Sequence, residues 1–211
     1  MSYSCTQERF LSDIENHTME IKKDDGLYRH LRFSNNGSNI YRFDLVTWPG
    51  VLCIEGDCGS FIFSRLPDMF NFFGGYEGDE IKINPSYWGE KLISISDKHH
   101  IKKFDREKFE KVIWDNFNDH EWESDEEGDI SKNIVKETLK EDLENKEFGF
   151  RSAHDYLYYF DKEGFTFIDS FEFDITQYTF HYIWNLYAIV WGIQTYYNKI
   201  YHQEKENTFY K

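Results

Sequence analysis

From Ile175 to Asn198 the chain reads ITQYTFHYIWNLYAIVWGIQTYYN, 24 consecutive positions without one Asp, Glu, Lys or Arg. A segment this long, apolar around most of a helical circumference, has to be surrounded by protein or by lipid. Its continuous apolar part is short, and His181, Asn185, Gln194 and several threonines interrupt it. Burial as a core helix is therefore the expectation rather than a membrane span. The remaining chain must then supply a surface that covers it.

Residues 28 to 65 offer that surface. YRHLRFS alternates Leu31 and Phe33 against His30 and Arg32, and IYRFDLVTW alternates Tyr41, Phe43 and Leu45 against Arg42 and Asp44. Period-two alternation marks strands with one buried face. NNGSN, the Pro49–Gly50 pair and DCGS supply turns, with VLCIEG and FIFSR as the next two strands. Four strands at such short spacing predict an antiparallel meander.

Helical signals surround the meander. Residues 4 to 22 read as one amphipathic helix carrying Phe10, Ile14 and Ile21, stopped near Gly26. LPDMFNFF starts a short helix with Pro67 in its first turn. GGYEGDE reads as a loop and NPSYWGEKLISI as a helix after an Asn-Pro entry. DREKFEKVIWDNF is a clearer helix, with Phe109, Val112, Ile113 and Phe117 on one stripe. ISKNIVKETLKEDLENKEF places Ile130, Ile134, Leu139 and Leu143 at weaker helical spacing, and SAHDYLYYF fits neither period clearly. The expected fold is a single α+β domain over residues 1 to 211. In it a four-stranded antiparallel meander packs with helices, including the buried aromatic C-terminal helix, and an acidic helical segment runs from about 100 to 150.

Charge narrows the partners. The chain carries 24 basic and 39 acidic residues, a net charge of −15. Such a field repels a nucleic-acid backbone and anionic lipid, so direct nucleic-acid binding and membrane binding are not expected. A protein with a basic surface is the complementary partner. The densest acidic stretch is DHEWESDEEGD, residues 119 to 129, with seven acids and no base.

Chemical signatures are sparse. Cys5, Cys53 and Cys58 make an odd count, and the N-terminus lacks a basic start followed by an apolar run. Free thiols in a reducing cytoplasm are expected. Cys53 and Cys58 have no second cysteine pair to complete a zinc site, and His99 and His100 have nothing that fixes them nearby. In DHEWESDEEGD the alternation Asp119, Glu121, Glu123, Asp125 suits a calcium loop, but Trp122 and the late Gly128 break the pattern. No metal and no cofactor are expected, and the default for this stretch is a solvated loop. GDCGS resembles the nucleophile loop of chymotrypsin-like proteases only locally and reads as a turn. His181, among aromatics, reads as a core histidine. No pattern signals an enzyme.

The stretch IYRFDLVTWPGVLCIEGDCGSFIFSRLPDMFNFF, with HLRF at 30, INPSYWGEKL at 83 and YTFHYIWNLYAIVWGIQTY at 178, resembles a family of small phage- and prophage-encoded proteins of uncharacterised function. The resemblance implies a phage context and, through it, the cytoplasm of an infected bacterial host. Residues 100 to 160 lie outside it.

Combined with the charge, this yields the functional expectation of a non-enzymatic binding protein that blocks a host protein, such as a nucleic-acid-binding defence factor, by imitating phosphates. Glu121, Glu123, Asp125, Glu126, Glu127 and Asp129 would carry the charge, with Trp122 as aromatic anchor. Between 121 and 147 eleven acids face four lysines, and acids at 77, 79, 80, 105, 107 and 110 could extend the patch. Two other readings stay open. One is a small-ligand site for a nucleotide signal, gripped by Arg32 and Arg42 on the outer face of the sheet. The other is a homo-oligomeric phage scaffold.

Overall fold

The computed structural model describes residues 5–74, 81–96 and 100–209, with side chains to residue 200. The loop expected at GGYEGDE falls outside the described residues beyond Gly74, and so do the acids at 77, 79 and 80 and His99. The chain divides into two compact units, Met1–Ile101 with Tyr178–Lys211, and Lys102–Gln177. The second unit is thus inserted in sequence between the two segments of the first.

The first unit is built on one six-stranded antiparallel sheet whose strands follow chain order: β1 Thr18–Asp25, β2 Tyr28–Ser34, β3 Phe43–Trp48, β4 Val51–Gly56, β5 Gly59–Ser64 and β6 Leu92–Ile95. The four strands expected from alternation are its centre, β2 to β5. Register explains the buried face. Leu31 lies opposite Leu45, Leu45 opposite Ile54, and Ile54 opposite Phe61, giving one row of apolar side chains across four strands. All four are fully buried.

Two expectations are corrected here. The first helix stops early: α1 spans Gln7–Asp13, capped by the Thr6 hydroxyl accepting from the Arg9 N–H (3.2 Å). Residues 18 to 25 then form β1, pairing Thr18 with Ser34 and Ile21 with Leu31. Met19 and Ile21 are two apart and turn the same side to the core, a strand period that the helical spacing from Phe10 and Ile14 concealed. Likewise NPSYWGEKLISI is only partly helical. The Asn84 side chain caps α3 (Pro85–Gly89), and LISI continues as β6 against β5. A register irregularity in that pairing leaves Ile93 exposed.

The C-terminal run is helical as expected, within α7, Phe180–Phe209. Tyr182, Ile183, Trp184, Leu186, Ala188, Ile189 and Ile193 are completely buried in the core that the sheet also lines. Among the described residues no helix is long and apolar enough to cross a membrane. Aromatic edges join helix to sheet: Trp184 packs edge-on to Phe43 (5.7 Å) and to Phe10 of α1 (5.2 Å), and Trp191 packs edge-on to Phe33 (5.4 Å). Closest approach is at Gly192, where a Cβ would stand 2.8 Å from Leu45 Cδ1 and 3.1 Å from Phe33 Cζ. A short helix α2, Met69–Phe73, starts at Asp68, which also receives Arg29 at 3.0 and 3.1 Å. The buried Arg29 guanidinium lies over the Phe70 ring (4.5 Å), its Nη1 and Nη2 bonded to Asp68 while its Nε has no hydrogen-bond partner among the described residues. His181, expected in the core, is instead exposed in the first turn of α7, where its carbonyl accepts from Asn185 Nδ2 (2.8 Å).

The second unit holds three helices, α4 Arg106–Asp119, α5 Glu126–Asn145 and α6 Phe150–Tyr159. Two short strands, β8 Asp161–Lys162 and β9 Phe165–Thr166, pair antiparallel. Strands β7 (Lys102–Phe104) and β10 (Thr176–Tyr178) pair with each other where the chain enters and leaves the unit. The stripe expected on α4 is present: Phe109, Ile113 and Phe117 are buried and Val112 is half-buried beside them. On α5 the inward face is Val135, Leu139 and Leu143, whereas Ile130 and Ile134 are exposed. The spacing of four that links 130 to 134 also links 135 to 139 to 143, and only packing decides between two such faces.

Replacing Gly192 by Leu should push α7 off the sheet. The expected cost is about 3 kcal/mol of overpacking strain, read as a lower urea midpoint with unchanged m-value.

Candidate interaction surface

The acidic stretch sits between α4 and α5 and is held by specific contacts. At its start the His120 N–H donates to Asn116 O (3.1 Å) as α4 ends. Trp122 then turns inward. Its ring stacks on buried Phe165 (5.9 Å, 13° between planes), and its Nε1 donates to Phe117 O (3.4 Å). His120 packs edge-on to both Trp122 (4.5 Å) and Phe165 (5.1 Å). Trp122 is accordingly half-buried, a member of the second unit's core as much as of its surface.

Asp125 begins α5. Its Oδ1 accepts from the Gly128 N–H (2.8 Å), one of the helix's orphan donors. Gly128 is buried because the backbone of Glu123 passes directly behind it. A Cβ there would lie 2.0 Å from the Glu123 carbonyl oxygen. Trp122 on one side and Gly128 on the other thus fix the loop to the helix start.

Helix α5 begins at Glu126 rather than at Ile130, so Glu126, Glu127 and Asp129 occupy its first turn. The aligned N–H groups there favour negative charge. Part of the acid density therefore has a local structural cause. Glu121, Glu123, Asp125, Glu126, Glu127 and Asp129 are all exposed. None of the six has a Lys, Arg or His within ion-pair distance among the described residues, whereas further along α5 Glu137 pairs with Lys140 and Asp142 with Lys146 (both 2.8 Å). Of the acids expected to extend the patch, Asp105 caps α4 by accepting from Lys108 N (3.2 Å) and Glu110 pairs with Arg106 (2.6 Å). The unit Lys102–Gln177 as a whole carries 22 acids against 11 bases, −11 of the chain's −15.

Arg32 and Arg42 lie together on the other unit, around Asp44. Arg32 makes two bonds to the Asp44 carboxylate (Nε 2.9 Å, Nη2 3.1 Å), and Arg42 reaches the same carboxylate at 2.5 Å and Glu55 at 3.3 Å. The cross-strand pairing of Arg32 with Asp44 and of Asp44 with Glu55 makes this cluster inevitable once the register is set. Burial by itself would raise the Asp44 carboxyl, but hydrogen bonding and charge from Arg32, then charge from Arg42 and His30, hold it below its ordinary value. Both guanidinium groups are thereby satisfied within the sheet.

The thiols are inert by environment. Cys58 is buried in the β4–β5 turn and Cys5 near the start of α1, and burial pushes both up to about 12. Cys53 lies half-buried on β4, on the side of the sheet opposite Leu52 and Ile54. Among the described residues no three His, Cys, Asp or Glu side chains converge into a group that could hold a metal ion.

No family model, no curated protein and no solved structure matches the chain.

Asp44→Asn should cost about 2 kcal/mol in urea denaturation at pH 7, because it removes the shared acceptor of two arginines. Since the folded carboxyl lies below its unfolded value of about 3.9, its contribution is complete above about pH 4 and fades as pH falls through the folded pKa. The gap between wild type and variant should therefore close on acidification. Asp125→Ala should lower stability by about 1 kcal/mol through loss of the cap, whereas Glu126→Gln should change it by a few tenths, a contrast readable in thermal melts at low salt.

Proposed function

We propose that the protein is a binding protein whose acidic second unit occupies a basic surface on a partner protein and competes there with nucleic acid. The observation that carries this reading is the set of six exposed carboxylates at 121, 123, 125, 126, 127 and 129, none matched by a basic side chain among the described residues. Unmatched like charges repel one another and favour a cationic partner over solvent. They hang on an ordered scaffold, because Trp122, Asp125 and Gly128 anchor the segment at both ends. Order matters for mimicry: carboxylates already positioned lose little conformational freedom on binding. The resemblance to phage and prophage proteins adds a setting in which the partner is a host protein, such as a nucleic-acid-binding defence factor.

Capture from nuclease-treated bacterial lysate on the immobilised full-length protein tests this. The expected result is a nucleic-acid-binding protein, retained at about 50 mM salt, largely released by about 200 mM and displaced by added duplex DNA. Changing Glu121, Glu123, Glu126, Glu127 and Asp129 to their amides, with the Asp125 cap left in place, should weaken retention at least tenfold. Retention that is insensitive to salt and to these changes would sink the proposal.

A further inference from the structure

Helix α6 turns two unlike faces outward and inward. Ala153 and Leu157 are fully buried in the second unit's core. Phe150, His154 and Tyr158 recur at every fourth position along a row that begins beside Leu157 and turns away from the buried face, about 12 Å from first to last at 1.5 Å per residue. Phe150 packs edge-on to His154 (4.7 Å). Tyr158 packs edge-on to Tyr159 (4.7 Å) and meets Phe171 from the following segment (5.1 Å). Yet these rings are open to solvent: Phe150 is 53%, Tyr158 54%, Tyr159 75% and Phe171 75% exposed. Single exposed aromatics are ordinary, but rings in mutual contact form a patch, and patches of Tyr and Phe mark binding surfaces.

The charges around this patch decide its occupant. Asp155, Asp161, Glu163, Asp169 and Glu172 are all exposed in the same stretch of chain, against Arg151 and Lys162. Nucleic-acid bases stack on exposed rings, but their phosphates would meet a unit of net charge −11. A second copy would bring the same negative field against itself. An arginine side chain suits both features, since its guanidinium stacks on ring faces and takes carboxylates in its fork.

We infer that Tyr158, Tyr159 and Phe171, with the acids beside them, form a docking site for an arginine-bearing basic segment of a partner protein. The inference rests on the acidic-binding reading above and locates the aromatic anchor on α6 and the segment after it, rather than at the half-buried Trp122.

The test uses the full-length protein and two fluorescent peptides, one of alternating Arg and Gly and one of alternating Lys and Gly, equal in length and charge, at low salt. The arginine peptide should bind several-fold more tightly than the lysine peptide. The triple change Tyr158→Ser, Tyr159→Ser, Phe171→Ser should weaken the arginine peptide about tenfold. All three side chains are exposed, so the fold should persist, and circular dichroism and a thermal melt confirm it; Tyr159→Ser with Phe171→Ser serves if Tyr158 proves structural. Binding that survives these changes, or equal affinity for both peptides, overturns the docking site while the acidic reading stands. No binding of either peptide by the unmodified protein overturns both. A dimer in sedimentation that the triple change dissociates overturns the site in favour of a second copy.

Discussion

The contact between α7 and the inner face of the sheet is the interaction on which the first unit depends. A helix without charge over most of its length cannot remain in water, and the row Leu31, Leu45, Ile54, Phe61 is a surface that cannot remain there either. Gly192 lets the two approach until Phe33 and Leu45 touch the helix backbone's own cylinder. Trp184 and Trp191 then fill the space on either side with edge-to-face contacts to Phe10, Phe33 and Phe43. Because α7 comes last in the chain and the sheet comes first, this core closes only when sequence-distant segments meet. The whole of Lys102–Gln177 is looped out between them, and pairing of β7 with β10 brings that insertion's two ends together. In the first unit, Ile101 O accepts from Thr179 N–H (2.9 Å), so the chain departs and returns at neighbouring residues.

How much of this could be read in advance depended on whether burial was one-sided. Strands β2 to β5 alternate because one face is buried and the other is not, and α4 carries a clean apolar stripe for the same reason. The outer strands carry weaker signals. β1 reads TMEIKKDD, with charges at five of eight positions, which is how an edge strand discourages pairing with foreign chains. That composition hides its period of two. β6 is four residues long and follows directly on the short helix α3, so a single helix was the simpler reading. The choice between Ile134 and Val135 as the buried residue of α5 was not legible at all, since both belong to rows of spacing four and only the neighbouring helices distinguish them.

The candidate surface was legible in its charge and illegible in its aromatics. Exposure of Glu121 to Asp129 follows from their being acids. The inward turn of Trp122 does not follow from its neighbours, because it requires Phe165, more than forty residues away in sequence, to receive it. The exposure of Tyr158, Tyr159 and Phe171 is hidden for the converse reason. SAHDYLYYF is aromatic enough to be core, yet only Ala153 and Leu157 are fully buried, with Tyr156 and Phe160 half-buried beside them. A signal did exist: Tyr158 and Tyr159 follow Leu157 at about 100° and 200° around the helix, off the face that Leu157 shares with Ala153.

Local structure accounts for some of the acids on α5 and leaves a remainder. A helix start needs one capping side chain, which Asp125 supplies, and gains further from two or three negative charges in the first turn. Glu121 and Glu123 precede the helix and lie outside that account. Their mutual repulsion, with that of the other exposed acids nearby, opposes folding slightly at low salt and fades as ions screen it. Elsewhere the same unit disposes of such repulsion by pairing, as Glu110 does with Arg106 and Asp142 with Lys146. Among the described residues the 121–129 stretch makes no such pair, although Lys132 stands three positions after Asp129 on the same helix. Charge left unpaired among the described residues, beside charge that is paired on the same small unit, is the observation on which the proposal of a basic partner rests.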